Sequence, residues 1–389
     1  MAVITMKTRS LFTRFLVASV AALALSFSGS LSRAAFDPED EPDDAPVTTP
    51  KADPLANSKK DEKKSADKAL TGVATRVAVL NFGLPKSAQG AAESTVGIEI
   101  IAEAWRDAVK KLEQDKVNVV VVRINSGGGA LSEMKPFQDL FEKVYKTKFR
   151  TVAWVESAIS CAAMSPWPIG DMYFLPGGKI GACTAWHQVG GGQMVQADAD
   201  TRESILVQME ECSRWANRDP KIMRAMQIME PLSANIDENG NVKFFQDLSG
   251  KIILNQMGKI LTLTANEALQ VGFSKGTAAT LDDLMKSMGI TEYEVAGKSA
   301  TNYIDDNIKS NDKANKEFDN FFRAYQIAVS RAEQLRGDKK RQPEAISDAK
   351  SALRKMNDTR KHNSKMPEIK GFPRAWFDQQ ERLLKDLEK

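Results

Sequence analysis

Apolar positions along this chain follow two different periods, and the change of period marks out its elements. Residues 76–82 (RVAVLNF) are rich in β-formers and alternate, which predicts a strand. Over 95–113 the apolar positions Ile98, Ile101, Ala102, Trp105, Val109 and Leu112 form a helical stripe. Residues 117–124 (VNVVVVRI) are an almost unbroken β-branched run, typical of a strand buried on both faces. That run stops abruptly at Asn125-Ser126-Gly127-Gly128-Gly129, and a helix is predicted over 131–145. A strand at 151–155, a short helix beginning near Ser160, a strand at 172–175 and a β-like piece at 180–186 follow. Residues 202–229 read as helix, split at Asp219-Pro220. Asn239-Gly240 marks a hairpin turn within 236–245. Residues 261–272 read as a strand end, then a helix capped by Thr264 with Glu267 three residues on and closed by Gly272. Strands alternating with helices predict a layered α/β domain.

Both ends of the chain differ from this middle. Lys7, Arg9 and Arg14 precede an apolar run at 15–27, and the small residues Ser28, Gly29, Ser30, Ala34 and Ala35 follow. A positive start, a short apolar stretch and a small-residue end describe a secretory signal peptide over 1–34, cleaved after Ser30 or after Ala34. An uncleaved membrane anchor is the alternative. Residues 35–72 mix acidic, proline-bearing and Lys/Ala-rich stretches without an apolar period, which predicts a disordered linker. An α/β domain over 73–295 and a charged helical extension over 296–389 complete the chain. In the extension the apolar positions are sparse, among them Phe318, Phe321, Phe322, Tyr325 and Ile327, and the pattern suits a hairpin of helices. It is either a solvated layer packed on the main domain or an arm that oligomerises or binds a partner, including one at a membrane.

Composition narrows the chemistry. With 54 Lys+Arg against 51 Asp+Glu, the net charge of +3 gives no reason to expect nucleic acid. The only histidines are His187 and His362, so a multi-histidine metal site is excluded. Cys161, Cys183 and Cys212 have no zinc or CxxC spacing. No metal site and no cofactor is expected.

Three pieces could carry a reaction. Glycines 127–129 at a strand end let the backbone turn sharply, and the N–H groups at the next helix start can hold a phosphate or a tetrahedral oxyanion. Ser160 opens a helix among small residues, where it is either a nucleophile or simply a helix cap. His187, the only histidine of the α/β region, lies between a β-like piece and Gly190-Gly191-Gly192 and has the pKa of a general base.

Taken together, these pieces resemble the Clp protease/crotonase superfamily, specifically its serine peptidases. Residues 124–129 resemble the INSPGG motif of Clp proteases, with Gly127 where that family has proline. Ser160-Cys161 resembles the Ser-Met step of the Clp nucleophile turn and the Ser-Gly-Gly turn of signal peptide peptidase A. Phe174-Leu175-Pro176 followed by Ile180-Gly181 is similar to the strand and turn after the nucleophile helix in relatives of the latter. His187-Gln188 with Gly190-Gly191 is similar to the HQPxGG stretch of the Clp histidine, and 262–272 resembles the LTxxEAxxxG helix of both groups.

The resemblance implies a spiral of ββα units, commonly in a ring-like homo-oligomer. It also implies Ser160 as nucleophile, His187 as base, Gly129 and Cys161 as oxyanion-hole N–H donors, and Gly128 as the shaper of the turn. The expected protein is an exported serine endopeptidase, periplasmic or extracellular, that cuts peptides or membrane-protein segments through an acyl-enzyme. Two departures keep a catalytically inactive binding or scaffold protein open. No lysine lies between Lys179 and Lys221 to act as the base used by signal peptide peptidase A, and residues 256–260 lack the carboxylate that completes the Clp triad. Acyl-CoA chemistry on the same fold ranks last, because coenzyme A is cytoplasmic. Cys161 is expected to be buried and inert.

Overall fold

The alternation at 76–82 forms a strand, β1 (Arg76–Phe82), in a computed structural model that describes residues 74–85, 94–188 and 194–389. The expected signal peptide, the linker and Gly190-Gly191-Gly192 lie outside the described residues. After β1 come α1 (Ala102–Gln114), β2 (Val119–Ser126), α2 (Met134–Leu140), β3 (Arg150–Ile159), the single-turn helix α3 (Cys161–Met164) and β4 (Met172–Gly181). The four strands lie parallel and side by side, β4-β3-β2-β1.

Their β-branched runs follow from this placement. Val77, Val119, Val121, Val152 and Trp154 point to one face, while Leu80, Val120, Val122, Ile124, Ala153 and Val155 point to the other, and both sets are buried. A strand covered on both faces has no polar side to display, so alternation disappears. Beneath one face Trp105 of α1 meets Phe82, Phe137 and Phe141 with ring centroids 5.6, 6.1 and 5.6 Å away.

The second half adds the hairpin β5 (Trp186–Gln188) and β6 (Met194–Gln196), then α4 (Ala199–Trp215) and α5 (Pro220–Gln227). Asp219 divides the two helices by accepting from Lys221 N, with Pro220 in the first turn of α5. β7 (Leu232–Ile236), β8 (Val242–Phe245) and β9 (Ile252–Asn255) form a three-stranded antiparallel sheet, and Ile236 pairs with Val242 across the Asn239-Gly240 turn. β10 (Thr262–Thr264) lies antiparallel to β4, followed by α6 (Ala265–Gln270) and α7 (Leu281–Ser287). β11 (Glu294–Val295) pairs in parallel with β1 at the opposite edge.

Thr264 and Glu267 form the reciprocal cap predicted for α6: Thr264 Oγ1 accepts from Glu267 N and Glu267 Oε2 accepts from Thr264 N. Thr264→Ala is expected to cost about 1 kcal/mol, read as a lower urea midpoint at unchanged slope. An unchanged midpoint would show the cap to be idle.

Several elements depart from their predicted bounds. The helix predicted over 95–113 begins only at Ala102, because Val96 is taken up in a parallel bridge with Gly129. Val96 N donates to Gly128 O and Ala130 N donates to Val96 O, both at 2.8 Å. The strand predicted at 151–155 runs on to Ile159, since a register shift after Val155 lets Ser157, Ala158 and Ile159 pair with Lys179, Ile180 and Gly181. The β-like piece at 180–186 is therefore divided between the end of β4 and the start of β5.

The C-terminal region is helical, as predicted. α8 (Lys298–Gln334) runs 37 residues and serves two cores. Ala300, Ile304 and Ile308 pack into the α/β body, while Phe318, Tyr325, Val329 and Ala332 build a second core with α9 (Arg341–Asp358), α10 (Met366–Ile369) and α11 (Arg374–Leu387). The α/β body and these helices form one compact unit. Among the described residues, no helix is long and apolar enough to cross a membrane.

Candidate active site

Two chain turns at the carboxyl ends of β2 and β3 make the centre of the site. After β2, Ser126 Oγ donates to Ser94 O at 2.6 Å and accepts from Gly128 N at 3.2 Å, which folds the chain back on itself. Gly128 has φ +109° and Gly129 φ +148°, values that L side chains rarely adopt. A Cβ on Gly129 would lie 2.1 Å from Val96 O, so only glycine fits beside the bridging segment.

After β3 the chain turns sharply at Ser160, with φ 56° and ψ −129°. Such values belong to the first central position of a type II′ turn, a place dominated by glycine. A serine held there carries about 1–3 kcal/mol of backbone strain. The backbone of Ser160 is fastened on both sides: its N–H donates to Gly181 O at 2.9 Å, and its carbonyl accepts from Ala163 N at 2.9 Å. Its side chain makes no cap bond to α3. The reading of Ser160 as a mere helix cap therefore fails, and the hydroxyl is half-buried and uncommitted among the described residues.

The two turns touch. A Cβ on Gly128 would stand 2.6 Å from Ser160 Cβ and 3.2 Å from Ser160 Oγ. The fold thus brings Gly128, Gly129, Ser160 and Cys161 together, although β3 separates them in the chain. Cys161 N begins α3, where a first-turn N–H has no intrahelical acceptor. Neither Cys161 N nor Gly129 N donates to another described residue. Two free N–H groups beside a strained serine suit acyl transfer, in which negative charge develops on a carbonyl oxygen.

The Cys161 side chain has no such role. Its Sγ lies 3.3 Å from Ala130 O and 3.5 Å from Ser165 Oγ, and burial pushes the thiol up to about 12. Cys212 is likewise pushed up to about 12 by burial, and Cys183 is raised further for the same cause. All three thiols are buried and free, so no thiolate nucleophile is available.

His187 stands on β5 in register with Val195 of β6, and its side chain lies outside what the structure describes. Ala197 N closes the base of this hairpin on Ala185 O. Of the carboxylates on the small antiparallel sheet, Asp237 accepts from Asn239 N, Asn241 N and Asn241 Nδ2, and Asp247 from Ser249 N and Oγ. Both are exposed groups that tie their own turns, and these hydrogen bonds lower their pKa. On α4, Gln208 Nε2 donates to Gln138 Oε1 at 2.6 Å while Met209 is buried, so that helix presents no amine. No group of acidic, histidine or cysteine side chains able to hold a metal occurs among the described residues.

Sequence reasoning missed the support beneath the turn. Glu133 is 1% exposed and accepts from Ala102 N and Lys365 Nζ. Asn363 donates to Gly97 O and Ile98 O, both at 2.9 Å. For Glu133 the only local signal was a carboxylate four residues after the last of the glycines. For Asn363 there was none, because its partners are more than 260 residues away.

Comparison with known proteins gives a family and a set of fold likenesses. The model of the NfeD1b N-terminal domain matches residues 97–298, more than half of the chain. The membrane protein NfeD1b of Bacillus subtilis (strain 168) is 29% identical over 178 residues, which cover 46% of this chain and 35% of that protein. The chain thus matches about a third of the length of that curated relative. Similar solved structures include the 1510-N membrane protease of Pyrococcus horikoshii, specific for a stomatin homolog (15% identity, TM-score 0.35, 55% of this chain and 79% of that chain). A variant of the 1510-N stomatin-specific protease in complex with a substrate peptide has 16% identity and a TM-score of 0.40, over 55% of this chain and 80% of that chain. ClpP1 from Listeria monocytogenes has 15% identity and a TM-score of 0.30, over 54% of this chain and 94% of that chain.

Proposed function

The chain belongs to the NfeD1b N-terminal domain family, and on that premise we propose that its α/β body is an exported, membrane-associated serine peptidase. Ser160 attacks the scissile carbonyl and forms an acyl-enzyme. His187 takes the Ser160 proton and returns it to the leaving amine. Gly129 N and Cys161 N hold the oxyanion, and water then releases the acyl group. Substrates are peptides or segments of membrane proteins, and the protein works as a homo-oligomer.

One observation carries this reading. Ser160 keeps a glycine-type backbone conformation while its hydroxyl makes no hydrogen bond among the described residues that would repay the strain. Strain of this kind collects at reactive positions, and a nucleophile on a tight strand-to-helix turn is one of its recurrent forms.

The full chain is expected to react covalently with a fluorophosphonate, and Ser160→Ala is expected to abolish the adduct. His187→Ala is expected to slow the reaction by about a thousandfold or more. A labelling rate unchanged in Ser160→Ala overturns the assignment. A second reading, a binding protein on the same fold, draws support from the bonding of Asp237 and Asp247 within their own turns and from Gln208 and Met209 on α4. It predicts peptide binding without any adduct on the wild-type chain.

A further inference from the structure

The glycine turn that cradles the oxyanion in the proposed reaction does not stand on the α/β body alone. Two supports flank it, and both lead to residues 363–370 near the end of the chain.

The first support runs through the bridging segment. Val96 clasps the turn by its bonds with Gly128 O and Ala130 N. The next residues along, Gly97 and Ile98, offer their carbonyls to Asn363 Nδ2 at 2.9 Å each. Asn363 is 4% exposed, so this amide has no water to compensate for a lost acceptor. Ile369 packs so closely on the same segment that a Cβ added to Gly97 would stand 3.0 Å from its Cδ1.

The second support runs through Glu133, on the short turn Leu131–Glu133 just after the glycines. One carboxylate oxygen accepts from Ala102 N at 2.8 Å, at the start of α1, and the other from Lys365 Nζ at 2.5 Å. A carboxylate only 1% exposed needs this cation close by. Helix α8 reinforces the arrangement, since Asn311 donates to Glu99 O at 3.3 Å and Asn315 to Glu99 Oε1 at 3.0 Å. Lys370 in turn donates to Asn315 Oδ1 at 2.6 Å.

We propose that the C-terminal helical region is a positioning element of the active site, with Asn363 and Lys365 as positioning residues that hold the Gly128–Gly129 turn at its distance from Ser160. Neither residue touches the reacting atoms. The physical case is one of precision. A cradle donor is useful only within a few tenths of an ångström, and a displacement of about 1 Å costs on the order of a hundredfold in rate. The three-glycine turn has little stiffness of its own, so its position is set by what it is fastened to. The inference rests on the peptidase reading for its rate consequence and on the hydrogen bonds for its structural one.

The test uses the full chain and two readouts. Hydrogen–deuterium exchange is followed by mass spectrometry over 95–101, 127–133 and the strands β2 and β3. Fluorophosphonate labelling is resolved into a limiting rate and a half-saturating concentration. In Asn363→Ala, exchange over 95–101 and 127–133 is expected to quicken at least tenfold while β2 and β3 stay as in the wild type. The limiting labelling rate is expected to fall by roughly ten- to a hundredfold with the half-saturating concentration unchanged. Lys365→Ala, at a side chain that is 55% exposed and so a milder change, is expected to move both readouts in the same direction, and Lys365→Arg to restore them.

Exchange over 127–133 that stays at the wild-type rate in both alanine variants overturns the proposal. So does exchange that rises evenly through β2 and β3, since that is general loosening. Should the wild-type chain form no adduct, the peptidase reading fails, and the exchange data alone decide whether the helices hold the turn.

Discussion

Ser160→Gly is expected to yield a protein that is more stable than the wild type and wholly unreactive. The two halves of this result have separate causes. Reactivity is lost because the hydroxyl is gone, as in Ser160→Ala. Stability rises because the backbone at φ 56° and ψ −129° suits glycine and strains any residue with a Cβ. Relief of about 1–3 kcal/mol of strain is offset by about 0.4–1 kcal/mol of added freedom in the unfolded chain, which leaves a gain of about 1 kcal/mol. The comparison with Ser160→Ala isolates the cause. Alanine keeps the Cβ and the strain, so its denaturant midpoint is expected within about 0.5 kcal/mol of the wild type. Paired urea titrations of the two variants check the result. A Ser160→Gly protein less stable than Ser160→Ala would remove the strain argument and with it the main support for Ser160 as a nucleophile. The expected outcome is the usual exchange of stability for activity at a reactive site.

Gly128→Ala is expected to damage both the fold and the proposed reaction. The new Cβ would stand 2.6 Å from Ser160 Cβ and 2.9 Å from Ile159 O, and it would impose φ +109° on a residue with a side chain. Ile159 and Ser160 cannot withdraw cheaply, since Ile159 pairs with Gly181 and Ser160 N donates to Gly181 O. The turn must therefore move instead, and it carries Gly129 N with it. Backbone strain and overpacking each cost about 1–3 kcal/mol, so a loss of about 3 kcal/mol or more is expected. In the fraction that stays folded, labelling is expected to fall by at least about a hundredfold, because the cradle and the nucleophile no longer keep their spacing. Urea titration and labelling at low temperature separate the two effects. Wild-type labelling from Gly128→Ala would mean that this turn takes no part in the reaction.

Local rules account for much of what the chain displays. The β-branched run at 117–124 needs both faces covered, and its strand is buried on both. The Thr264–Glu267 cap and the Asp219-Pro220 break are decided within four residues of chain, and both occur as read. The strand-end glycines and the helix-opening serine stood out by their composition alone. Whether they met was another matter, since a register shift in β3 and a bond to Gly181 decide how far Ser160 is carried toward Gly128. Residues 95–101 show the limit most clearly. Their apolar spacing is helical, yet Val96 bridges to Gly129, and the bond is made across some thirty residues of chain.

What the sequence determined by itself, then, was the alternation of strands and helices, the α/β class and the residue types gathered at the two turns. Each depends on side-chain period, capping or backbone freedom, and those act over a few neighbouring residues. The tertiary structure alone decided that Ser160 is strained rather than capping, that the two turns touch, and that Asn363 and Lys365 brace one of them. Strain and long-range hydrogen bonds arise from where distant segments are forced to meet, and no local pattern of residues encodes that meeting.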